Sequence, residues 1–270
     1  MQDTPYGVRC LIGDVRGKGM GAVEAVTVVL GAFREGAQRE PTLTGVAEWI
    51  EQTLLREAAQ RKGLDQVEDF TTALLAEIPR PGDQVRLVNR GHPAPLLLLE
   101  GAVRPLEPSR PALPLGLAPL DAGTSPVDTV AFPQGATLLL YTDGVTEARD
   151  RRGTFFDPVD RLTGQCPHSP DELLAAVVAD IHRHTRDHIT DDMALLALTH
   201  TTRGPGLSAV QHLCELAAIP NECLPWWPAS PRPRDDLTFR PAWTQSQYEA
   251  RSPRRRMSRV AQWKEPPKGA

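Results

Sequence analysis

The sequence predicts an α+β fold, and three observations predict it. Strand-length apolar runs between residues 71 and 99 are separated by turn-forming residues and read as hairpins. Helical periodicities are grouped between such runs rather than alternating with them, which argues against a βαβ array. The composition, 40% hydrophobic and 24% charged over 270 residues, suits one large soluble domain or two small ones.

The elements follow in order. Gly7 to Gly13 reads as a short buried strand, interrupted by the glycine-rich residues 17–21. Ala22 to Phe33 is almost wholly apolar and predicts a buried helix. Leu43, Val46, Ala47, Ile50, Leu54 and Ala58 recur at helical spacing after Pro41-Thr42, predicting an amphipathic helix. Thr71–Ile78 and Gln84–Asn89 flank a Pro-Arg-Pro-Gly-Asp turn and form a hairpin. Pro95–Leu99 is a further strand ending at Glu100-Gly101, and the five prolines of 107–128 predict a long surface loop. Ala136–Thr142 is a strong buried strand. Ser169-Pro170-Asp171-Glu172 is a capping box with proline at the first helical position. It opens a helix whose apolar stripe is Leu173, Leu174, Val177, Val178 and Ile181, and Met193–Thr199 is the closing strand.

Charge divides the chain near residue 200. Residues 1–200 carry a net −9 and residues 201–270 a net +5, and the latter hold 10 of the 26 prolines and an arginine run at 254–256. The expectation is a folded domain over 1–200 and a disordered Pro/Arg-rich tail over 201–270. An acidic body is a poor match to nucleic acid, whose phosphates require positive charge. No apolar window approaches the roughly 18–20 residues that span a bilayer. No signal peptide is visible, and the four scattered cysteines include no C-x-x-C pair. A reducing, cytoplasmic location is expected, although a longer parent protein could carry a membrane anchor.

Three acidic positions share one context. Asp14 follows a buried strand, Asp143-Gly144 follows another, and Asp191-Asp192 precedes a third. Strand ends hold side chains at fixed points at the border of a core. Carboxylates brought together repel one another, and a hard divalent cation such as Mg²⁺ or Mn²⁺ relieves that repulsion. Two such ions about 4 Å apart can activate water for in-line attack on phosphorus. Each position taken singly also reads as a turn or cap residue.

Rival motifs are weaker. Gly17-Lys18-Gly19-Met20-Gly21-Ala22 formally fits a dinucleotide-binding loop, but the acidic residue expected about 20 positions on falls where a helix is predicted. A Walker A loop fails on spacing, because Gly13 and Gly17 are separated by three residues and Lys18 is followed by Gly19. His184 and His188 have i, i+4 spacing that zinc can use, or are polar residues at a helix end, as His182 is. His92, between two strands, either contacts a substrate or shapes the turn, the turn being the simpler account. No nucleophile elbow is present.

Five segments in order, IGDVRGKGMGA (12–22), FTTALLAEI (70–78), VNRGHPAPLLL (88–98), LLLYTDGVTEARD (138–150) and TDDMALLAL (190–198), resemble the metal-dependent protein phosphatase (PPM, type 2C) family. The nearest branch is the bacterial one that includes the sporulation phosphatase SpoIIE and stress-response phosphatases acting on anti-sigma-factor antagonists. The resemblance implies a four-layer α/β/β/α sandwich of two mainly antiparallel sheets, with a two-metal centre (Mn²⁺ or Mg²⁺) at one edge. It implies that Asp14 bridges both ions, that the Val15 carbonyl binds one, and that Asp143 and Asp191 complete the other shell with Asp192 beside them. It implies hydrolysis of phosphoserine or phosphothreonine on a regulatory protein by a metal-bound hydroxide. The family also has an upstream strand with a Gly-Gly-Asp-type motif that this chain lacks, and Asp3 is expected in a non-strand context. The alternative is therefore a catalytically impaired, phosphoprotein-binding regulatory module.

Overall fold

The computed structural model describes residues 1–17, 20–60, 70–80, 82–117, 125–186, 188, 191–200 and 207–214. In chain order these form β1 (Gln2–Thr4), β2 (Gly7–Val15), α1 (Met20–Arg39), α2 (Leu43–Gln60), β3 (Thr71–Ile78), β4 (Gln84–Arg90), β5 (Leu96–Leu99), β6 (Ala102–Pro105), β7 (Asp128–Ala131), β8 (Thr137–Tyr141), α3 (Asp143–Thr146), α4 (Pro158–Leu162), α5 (Pro170–Thr185), β9 (Met193–His200) and β10 (Leu207–Cys214). The strands make two five-stranded sheets, ordered β1-β2-β3-β4-β7 and β10-β9-β8-β5-β6. All described pairings are antiparallel. The antiparallel β2–β3 pair removes the dinucleotide-binding reading, which needs parallel neighbours.

The four predicted layers are present. Cys10, Ile12, Leu74, Ala76 and Leu87 of the first sheet meet Leu97, Leu138, Leu140, Leu196 and Leu198 of the second. The opposite face of the first sheet, with Ala73, Leu75 and Val88, packs on Val29, Phe33, Val46 and Ile50 of α1 and α2. The opposite face of the second, with Leu139, Leu195 and Ala197, packs on Leu173, Leu174, Val177 and Ile181 of α5. Strands covered on both faces read as continuous apolar runs, which is why TTALLAEI and TLLLY lack alternation.

Four expectations need correction. Asp3 lies in a strand, paired with Val8, because Thr4 donates its hydroxyl to the Gly7 carbonyl at 2.6 Å and closes a tight hairpin around Pro5-Tyr6. The folded body also runs past residue 200. β10 pairs along the whole of β9, from Leu207 against His200 to Cys214 against Met193, and so occupies what would be a bare apolar edge. With one β-branched residue, LSAVQHLC gives little strand signal. Residues 201–206 and 215–270 lie outside those described. Third, α1 is buried on one side only. Ala25, Val29, Phe33 and Ala37 face inward, whereas Val23, Val26 and Leu30 stay exposed, because an outer-layer helix has one covered face. Fourth, the 107–128 segment is not wholly superficial, since Leu115 is buried and exchanges backbone hydrogen bonds of 3.0 and 2.9 Å with Thr71.

Ser169 caps α5 as predicted, accepting from the Glu172 N–H at 3.2 Å. The reciprocal arm reaches one residue further back, with the His168 N–H donating to Glu172 Oε2 at 2.8 Å. No described helix is long and apolar enough to cross a membrane.

Candidate metal centre

The acidic positions come from both sheets. Asp14 is the penultimate residue of β2 and pairs with Thr72 of β3. Asp143 begins α3 directly after β8, and Asp191-Asp192 leads into β9, the neighbour of β8. Thr142 joins these two strand ends. Its N–H donates to the Ala194 carbonyl at 3.1 Å, and its Oγ1 accepts from the Ala194 N–H at 3.0 Å. Gly144 brings the two segments into backbone contact, since a Cβ there would lie 2.3 Å from the Asp192 carbonyl oxygen. The Asp192 N–H donates to Asp191 Oδ1 at 2.9 Å and orients that carboxylate.

Asp14 registers the convergence of the two sheets. Its carboxyl pKa is pushed up to about 6, first by desolvation against the sheet, then by the charges of Asp143, Asp191 and Asp192. A hydrogen bond from the Val15 backbone opposes the rise without cancelling it. The carboxyl is nevertheless open to solvent by surface area, as are Asp191 and Asp192, while Asp143 is half-buried. Mutual repulsion in an accessible cluster is the condition a hard cation relieves. Four carboxylates of this kind are donors that Mg²⁺ and Mn²⁺ take, with waters filling the remaining positions. Among the described residues, no three His, Cys, Asp or Glu side chains are already drawn together tightly enough to hold an ion. Charge and donor type carry the fit.

The other candidates fall elsewhere. Asp3 pairs with Val8, six residues along β2 from Asp14 and roughly 20 Å away at strand rise. Its carboxylate accepts from Arg80 at 2.8 Å. His184 is engaged with the Thr154 carbonyl at 2.9 Å and packs edge-on to Phe156, and no zinc cluster forms around it among the described residues. His92 does shape its turn. Its N–H donates to Asn89 Oδ1, and the Asn89 amide donates back to its carbonyl, both at 2.8 Å. Its ring, however, turns inward to Thr72. Sequence reasoning missed Thr72, Thr142 and Gly144 as supports of the site. Only Gly144 left a trace, the Asp-Gly pair, which reads equally well as a turn.

The family model for stage II sporulation protein E (SpoIIE) matches residues 4–201. The chain belongs to the SpoIIE family. That membership places it among the PPM-type protein serine/threonine phosphatases. The fold of this SpoIIE-family chain is similar to that of the SiaA PP2C domain of Pseudomonas aeruginosa, with a TM-score of 0.60 at 18% identity over 73% of this chain and 77% of that one. It is similar to the PP2C domain and regulatory-domain fragment of SpoIIE from Bacillus subtilis, with a TM-score of 0.59 at 14% identity over 75% of this chain. It spans 56% of that Bacillus chain. It is also similar to the catalytic domain of the serine/threonine phosphatase PstP in complex with two manganese ions, with a TM-score of 0.52 at 16% identity over 70% of this chain and 86% of that one. A comparison with curated protein sequences found no match.

Proposed function

We propose that this SpoIIE-family chain is a metal-dependent phosphatase that hydrolyses phosphoserine or phosphothreonine on a regulatory protein. The observation that carries this is the raised Asp14 carboxyl, crowded by Asp143, Asp191 and Asp192 from the facing sheet. The two manganese ions of the similarly folded PstP domain support a divalent-metal centre here, with Mn²⁺ or Mg²⁺ as the ion. Asp14 would be shared between two ions and the Val15 carbonyl would join one of them. Asp143 and Asp191 would complete the second site, with Asp192 beside it. Bound there, divalent ions supply Lewis acidity toward water and a phosphoryl oxygen.

The chain itself supplies orientation. Thr142 and Gly144 hold Asp143 beside Asp191-Asp192, and the Asp192 N–H aims the Asp191 carboxylate. A phosphoprotein of the anti-sigma-factor-antagonist type is the substrate class we infer from the family branch. A cytoplasmic setting fits two unpaired thiols, Cys10 buried and Cys166 exposed.

The second reading, a catalytically impaired phosphoprotein-binding module, is favoured by the position of Asp3, too far along β2 to add a carboxylate to the centre. A phosphoserine peptide assay in Mn²⁺ separates the two. The phosphatase reading expects turnover that EDTA and Asp14→Asn both abolish. Mn²⁺ binding without turnover supports the impaired module, and no Mn²⁺ binding at all overturns the metal centre.

A further inference from the structure

The two halves of the candidate centre ride on different sheets, Asp14 on β2 and Asp143 on the end of β8. One buried side chain stands behind the Asp14 half. His92 is 6% exposed, held by the Asn89 clamp at its backbone, with Nδ1 2.9 Å from Thr72 Oγ1. Thr72 is paired with Asp14, and its hydroxyl lies 3.5 Å from the Asp14 carbonyl oxygen. The His92 Nε2 is buried with no hydrogen-bond partner among the described residues. An unsatisfied buried imidazole nitrogen is costly, so a chain that keeps one behind half of a site gains something by it.

We propose that His92 is a positioning residue, a brace that fixes Thr72 on β3 and through it the Asp14 end of β2. Burial holds the ring neutral, its pKa lowered to about 4, so it braces Thr72 as a hydrogen-bonding group and not as a charge. A neutral ring has one N–H and one acceptor nitrogen. With the proton on Nδ1, the ring donates to Thr72 Oγ1, which leaves the Thr72 hydroxyl free to donate toward the Asp14 carbonyl. The inference rests on the metal centre proposed above.

Its test is Mn²⁺ titration by calorimetry, with the melting temperature of the metal-free protein recorded in parallel. His92→Ala should weaken Mn²⁺ binding about 10- to 100-fold, the range for lost supports of metal ligands. Thr72→Val, which keeps the volume and removes the hydroxyl, should weaken it in the same direction with little change in melting. The double variant should be no worse than His92→Ala alone, because the two residues act in one chain. His92→Gln, a neutral replacement of similar reach, should recover part of the loss. Variants that bind Mn²⁺ like the wild type, with only melting changed, would show that His92 merely fills the core. If the wild-type protein binds no Mn²⁺, the proposed centre and this role fail together. If only the variants match wild type, the role fails alone.

Discussion

At the scale of single residues, Asp14 owes its raised carboxyl first to desolvation and then to the charges of Asp143, Asp191 and Asp192 from the other sheet. The consequence for pH has a definite sign. Between the unfolded value of 3.8 and the folded value of about 6, the metal-free folded state holds a proton that the unfolded chain has released. Stability therefore falls as pH rises through that window. Asp14→Asn removes the repelled charge and should stabilise the metal-free protein at pH 7.5 by about 1 kcal/mol, a figure discounted from the full shift because the carboxyl is open to solvent. Calorimetric melting should show a gain of about 2–4 °C that vanishes below about pH 4. The same substitution should abolish Mn²⁺-dependent turnover, so stability and activity move in opposite directions. Gly144→Ala tests the contact between the two acidic segments. A Cβ 2.3 Å from the Asp192 carbonyl oxygen forces backbone apart, and a loss of about 1–3 kcal/mol in urea unfolding is expected, with weaker Mn²⁺ binding.

At the scale of elements, the turn between α1 and α2 is fastened to the sheet by one buried arginine. Arg9 is fully buried on β2 and donates to the carbonyls of Ala37 at 3.0 Å, Glu40 at 2.6 Å and Pro41 at 3.1 Å, and to Glu77 Oε2 at 2.8 Å. Three otherwise orphaned carbonyls around a helix end are satisfied at once. Arg9→Met leaves Glu77 buried with only the partly exposed Arg86 as partner, and should cost about 3–5 kcal/mol in urea unfolding. The Arg9→Met/Glu77→Leu pair should cost less than Arg9→Met alone, because no buried charge is then stranded. The α5 cap shows the contrasting case. Ser169, Pro170 and Glu172 are neighbours in the chain, so a local motif announced the helix start, whereas the partners of Arg9 lie far from it in sequence.

At the scale of the whole molecule, β10 carries the second sheet past residue 200. Removing residues 201–270 would strip β9 of β10, its outer partner along all eight residues, and should lower the melting temperature by at least about 5 °C and promote aggregation through the bared edge. By itself the sequence determined the α+β class, the major strands and helices, and the acidic residues at Asp14, Asp143 and Asp191-Asp192, because periodicity, caps and motif order are properties of neighbouring residues. The tertiary structure alone decided that Asp3 sits at the far end of β2, that α1 leaves Val23, Val26 and Leu30 uncovered, and that β10 joins the second sheet. It alone brought Thr72, Thr142 and Gly144 beside the candidate acidic residues and set His92 against Thr72. Each of those outcomes depends on which segments meet across or between sheets, and pairing across long stretches of chain leaves no period for a local pattern to show.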